Sequence, residues 1–188
     1  NLPSLVGGLS YGWTSTMLPL LQKSPNPTDI EPLSDSEVAL CVLGMALGPL
    51  FVIPFCASFC EKFGRRGTGL AVAIPIAVCW LLRLLGSNFY LILTAQALGG
   101  VGDAVSTFFV PLYVTEMVSD EIRGKLGCFM VFSFQVGVLT GYGLGSFLSY
   151  HWFTIVGLIL PIFHFGGLYL LPETPVYLYR KNRLEETR

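Results

Sequence analysis

Residues 38–60, VALCVLGMALGPLFVIPFCASFC, contain no Asp, Glu, Lys or Arg. An α-helix rises 1.5 Å per residue, so about 20 apolar residues span a hydrocarbon core of about 30 Å. Similar windows cover 2–22, 67–86, 89–115, 126–150 and 152–171, interrupted only by Arg83 and Asp103. Transmembrane strands would be about 10 residues long with alternating polarity, and these runs do not alternate. The expected fold class is therefore an all-α membrane protein, a bundle of six transmembrane helices over 1–188 with a tail at 172–188. The first window is not a signal peptide, because it lacks a basic flank and is too long for an h-region.

Composition agrees. Of 188 residues, 53% are hydrophobic and 12% are charged, against roughly 25% charged in soluble domains, and mean hydropathy is +0.65. So few charges could not cover the core of a water-soluble globule, which excludes a soluble enzyme, a disordered linker and a secreted disulfide module. Eleven basic residues against 12 acidic ones leave no basic face for nucleic acid. Cys41, Cys56, Cys60, Cys79 and Cys128 lie in apolar runs and read as buried packing residues. No nucleophile triad, phosphate loop or metal-ligand spacing is present, so no catalysis, cofactor or metal is expected.

The connections after the second and fourth windows, together with the tail, hold Lys62, Arg65, Arg66, Arg123, Lys125, Arg180, Lys181, Arg183 and Arg188; the other connections hold only Lys23. Under the positive-inside rule both ends of the chain face the cytoplasm and the Pro-rich, acidic stretch 23–37 lies outside. Glycines and prolines recur within the windows, among them Gly7, Gly8, Gly12, Gly137 and Gly141. Glycines allow close backbone approach between helices, and prolines supply bends.

Three motifs narrow the reading. At the end of the second window stands ASFCEKFGRR (57–66), where an acid, a base, a turn glycine and paired arginines close a short connection. It resembles the G-x-x-x-D/E-R/K-x-G-R-R signature of the major facilitator superfamily, with Ala57 in place of its glycine. PLYVTE (111–116) followed by Arg123 and Gly124 resembles the P-x-Y-x-x-E…R-G stretch of the sugar porters. PETPVYL (172–178) resembles their P-E-S/T-P-R-x-L, with Val176 where Arg is usual. The opening NLPS and YGWTS (11–15) resemble the first span of insect facilitated trehalose transporter-like proteins.

The resemblance implies a twelve-span carrier in two six-helix halves, of which this sequence matches the N-terminal half, with a small trehalose- or hexose-like sugar bound between the halves. It implies a cytoplasmic latch of Glu61, Arg65, Arg66, Glu116, Arg123 and Glu173, transport by alternating access through facilitated diffusion, and a plasma-membrane location. The implied partners are the sugar, the lipid bilayer and a missing C-terminal half or a second half-transporter. A transport-inactive sensor or interaction partner is the rival reading.

Tyr11, Trp13, Thr14 and Ser15, with Gln135, are the cavity candidates, since aromatic faces with hydroxyls and amides suit sugars. Trp13 has interfacial anchoring as its alternative, and Gln135 has helix packing. The family glutamine would fall at Val131, one turn before Gln135. Gln96 occupies the arginine place of the family pattern R-x-x-x-G-x-G-x-G. Arg83 is a possible compensation, but snorkelling to the surface is the favoured expectation. Asp103 reads as a protonated packing acid, with proton coupling as the alternative, and depth arithmetic separates it from Arg83 by about 15 Å or more. His164 reads as a packing hydrogen-bonder.

Overall fold

A computed structural model of the chain describes residues 1–170. They form five α-helices in chain order: α1 Leu2–Leu21, α2 Asp35–Leu84, α3 Phe89–Met117, α4 Asp120–Phe147 and α5 Tyr150–Leu170. Four of them, α2 to α5, contain stretches long and apolar enough to cross a membrane. The six separate windows therefore become five elements, because the charged stretch 61–66 does not interrupt α2 as a loop.

α2 is nevertheless two limbs. Gly64 sits at φ 82°, ψ 170°, a region essentially confined to glycine, and the helix folds back there. Val52, Phe55 and Phe59 of the first limb consequently line one small cleft together with Ala71, Val72 and Pro75 of the second. The hydroxyl of Thr68 donates to the Gly64 carbonyl at 2.7 Å, at the start of the second limb.

Local chemistry sets the other boundaries. Ser34 and Glu37 form a reciprocal cap at the start of α2: the Glu37 N–H donates to Ser34 Oγ at 3.3 Å, and the Ser34 N–H donates to Glu37 Oε2 at 2.8 Å. Asn88 caps α3 by accepting from the Leu91 N–H at 3.0 Å. α4 begins at Asp120 rather than 126, so Glu121, Arg123 and Lys125 belong to its first turns.

One face of α1 supplies much of the core. Val6, Leu9, Trp13, Met17 and Leu21, at spacings of three and four, meet Val72, Ile76 and Trp80 of α2 and Tyr150 and Phe153 of α5. Its opposite side meets α4 at backbone contact. Gly12 and Gly141 face each other so closely that a Cβ on Gly12 would stand 2.6 Å from the Gly141 Cα. Lipid is as apolar as Leu, so within a bilayer such contacts are held by van der Waals packing rather than by the hydrophobic effect.

Candidate functional site

Tyr11, Thr14 and Ser15 lie three and four residues apart and share one face of α1. They line a cleft of about 320 Å³ whose other wall is the first limb of α2, including Val42 and Met45. Tyr11 is 42% exposed, and its ring meets Phe134 of α4 edge-on at 5.5 Å. The cleft thus presents an aromatic ring and two hydroxyls against an apolar wall. A larger cleft of about 420 Å³, between the start of α1 and helices α3 to α5, is mostly apolar, with Leu2, Phe109 and Phe163 among its walls.

Thr14 connects the α1–α2 cleft to the interior. Its hydroxyl donates to the Ser10 carbonyl at 2.8 Å and accepts from Gln96 Nε2 of α3 at 3.1 Å. Gln96 Oε1 accepts from Arg83 Nη2 of α2. Arg83 is fully buried, its guanidinium 4.3 Å from the Trp13 ring and 4.8 Å from the Trp80 ring. Trp13 Nε1 donates to Thr154 Oγ1 of α5 at 3.1 Å, and the Tyr150 hydroxyl donates to the Arg83 carbonyl at 2.6 Å. Four helices therefore meet around one cation. Among the described residues no carboxylate pairs with it, and its Nε and Nη1 have no hydrogen-bond partner.

One expectation is corrected here. Arg83 does not snorkel, because two indole faces and an amide hold it inside the bundle. Asp103 itself lies against the Gly7 backbone. It shares with Ser10, Cys79 and Gly99 a gap no larger than one water.

A second constellation gathers where the limbs of α2 turn. Glu116 at the end of α3 receives Arg65 through both Nε, at 2.9 Å, and Nη2, at 2.7 Å, a two-pronged contact of the strong charge-assisted kind. Arg65 Nη1 also donates to the Cys60 carbonyl at 3.4 Å. Arg66 donates to the Tyr169 carbonyl, and Arg123 Nη2 donates to the Thr115 carbonyl at 3.0 Å. These contacts tie α2, α3, α4 and α5 together at one end.

The family model described as "Sugar (and other) transporter" matches residues 3–188. The chain belongs to the sugar transporter family. Among its relatives are the facilitated trehalose transporters of Polypedilum vanderplanki, 30% identical over 190 residues, and of Drosophila yakuba, 31% identical over 196. Each alignment covers all of this chain but only 37% and 22% of those proteins, respectively.

In fold, this sugar transporter chain is similar to the proton:xylose symporter XylE bound to 6-bromo-6-deoxy-D-glucose, with TM-score 0.79, 20% identity, and coverage of 99% of this chain and 47% of that one. It is equally similar to the inward-open xylose transporter XylE from E. coli, with TM-score 0.79, 21% identity, and coverage of 100% and 50%. Family and apolar helices together make this a multi-pass membrane protein of a transporter kind, not an enzyme kind.

Within this sugar transporter bundle the residues singled out from sequence separate into groups. Tyr11, Thr14 and Ser15 come together in the α1–α2 cleft. Trp13 does not join them: it is fully buried on the other side of α1, in the Arg83 cluster. Gln135 is exposed on α4, as is Val131 one turn before it, and neither lines the cleft. Arg65 and Glu116 are paired, and Glu61 is an exposed residue of α2. Glu173 lies outside the described residues. His164 Nε2 donates to the Gly69 carbonyl at 3.3 Å, in keeping with a packing role. Sequence reasoning missed Trp80, Tyr150 and Thr154 altogether. The available signal was the presence of Arg83 where the family arginine place holds Gln96.

Proposed function

We propose that this chain is the N-terminal six-span half of a twelve-span carrier that moves a small trehalose- or hexose-like sugar across the plasma membrane by facilitated diffusion. The two limbs of α2 would then count as two spans, with both ends of the half in the cytoplasm. The observation carrying this reading is the α1–α2 cleft, where the Tyr11 ring and the Thr14 and Ser15 hydroxyls stand together in a member of the sugar transporter family. An aromatic face suits the C–H face of a pyranose, and hydroxyls match its rim.

Alternating access follows from rocking of this bundle against a second one about the cleft. Arg65–Glu116 and the neighbouring charges would form the cytoplasmic latch. A charge-assisted pair worth about 1.5–3 kcal/mol can still be broken and remade in each cycle. We place uniport ahead of proton symport, reading Asp103 as a packing acid lodged against the Gly7 backbone.

The test is uptake of radiolabelled trehalose and glucose by the complete twelve-span protein, this half joined to its second bundle, reconstituted in liposomes. Saturable uptake is expected, with KM raised by Tyr11→Ala and by Ser15→Ala. A folded protein without uptake would reject the proposal in favour of the transport-inactive reading.

A further inference from the structure

We propose that Arg83 is a positioning residue for the sugar cleft, seating Trp13 and Thr14 of α1 through contacts that require a guanidinium at this point but not delivery from one particular helix. The proposal rests on the transport reading above, and it deepens that reading by naming what holds the cleft wall in place.

The geometry carries it. Arg83 lies between Trp13 of α1 and Trp80 of α2 at 4.3 and 4.8 Å, and its guanidinium donates to the carboxamide of Gln96. Gln96 passes that contact on to Thr14, which is both a core residue and part of the cleft lining. Cation, amide and hydroxyl therefore form one chain from the interior to the cleft. A buried cation without a carboxylate is costly unless other groups stabilise it. Two indole faces do so here, and such contacts strengthen when desolvated.

The side chains at 83 and 96 touch, so a guanidinium starting from α3 can reach the same slot while an amide from α2 takes the outer role. Exchange of the two residues conserves charge, donors and approximate volume. A lysine does not, because an ammonium lacks the planar face that stacks on indole.

The experiment uses the same reconstituted protein in a background where every tryptophan other than Trp13 and Trp80, Trp152 among them, is replaced by phenylalanine. Tryptophan emission and the KM for sugar are measured for Arg83→Gln, Arg83→Lys, Gln96→Arg and the exchanged double variant. Arg83→Gln is expected to change the emission and to raise KM about tenfold, the effect of one lost charge-assisted hydrogen bond, with maximal rate per folded protein within about twofold. The exchanged variant is expected to restore both readouts, and Arg83→Lys to restore neither fully.

An exchanged variant that folds but keeps the emission and KM of Arg83→Gln overturns the proposal. So does an Arg83→Gln protein with altered emission and unchanged KM, which would make Arg83 purely structural. If the unsubstituted protein takes up no sugar, the transport reading fails first. The emission series then decides the seat on its own, and unchanged emission in Arg83→Gln refutes it.

Discussion

The contact between α1 and α4 can be tested by a single methyl group. A Cβ on Gly12 would lie 2.6 Å from the Gly141 Cα, 2.9 Å from its carbonyl carbon and 3.0 Å from the Val138 oxygen. All three obstacles are backbone, so no side chain can swing aside. Ordinary contact begins near 3.4 Å, and Gly12→Ala therefore forces the helices apart by about 1 Å. Overpacking of this kind costs about 1–3 kcal/mol. Gly143→Ala is the matched control, on α4 with nothing within 4 Å of the new methyl. It gains only helix propensity, at most about 1 kcal/mol.

Reversible unfolding in mixed detergent–SDS micelles, followed by far-UV circular dichroism, compares the two. Gly12→Ala should be less stable than Gly143→Ala by about 1–3 kcal/mol, since both gain helix propensity and only Gly12→Ala overpacks. Equal stabilities within about 0.5 kcal/mol would show that these helices are not held at backbone contact.

Other outcomes follow from the same structure. Gly64→Ala places a side chain at φ 82° and should cost about 1–3 kcal/mol in the same unfolding assay. A double-mutant cycle on Arg65→Gln and Glu116→Gln should give a coupling of about 1.5–3 kcal/mol, as for a charged hydrogen-bonded pair; a value near zero would remove this pair from the latch. Asp103→Asn should leave sugar uptake insensitive to an imposed pH gradient, as in the unsubstituted protein. Gradient-driven accumulation that the variant abolishes would establish proton coupling instead.

Sequence alone located most of the apolar runs but misjudged their ends where charge and helix part company. Charge-free windows stop at Cys60 and resume at Leu126, whereas the helices continue through Lys62 and begin at Asp120. A helix end can stand in water or a headgroup layer, and its charges then carry no penalty for staying helical. Periodicity held more information than was taken from it. Tyr11, Thr14 and Ser15 repeat at three and four residues, while Trp13 falls about 200° around the helix from Tyr11 and so belongs to the core face.

The Arg83 cluster was least legible, since Trp13, Gln96 and Thr154 come from three other helices and only the tertiary fold joins them. The Arg65–Glu116 pair was more legible. Arg65 and Glu116 are 51 positions apart, yet each sits in a short motif whose family resemblance marks it.

The reversal at Gly64 has a practical consequence for anyone handling this protein. A turn made by one residue has no slack, so it cannot accept an inserted epitope or fluorophore without prying the two limbs of α2 apart. The stretch between α1 and α2 differs. Asn26 organises it, accepting from the Ile30 N–H at 3.2 Å and donating to the Ile30 carbonyl at 2.6 Å, while Asp29 and Glu31 stand exposed at its surface. Tags and reporter probes belong there, at Asp29 or Glu31, where the chain is longest between helices and the bundle does not depend on the side chain being replaced.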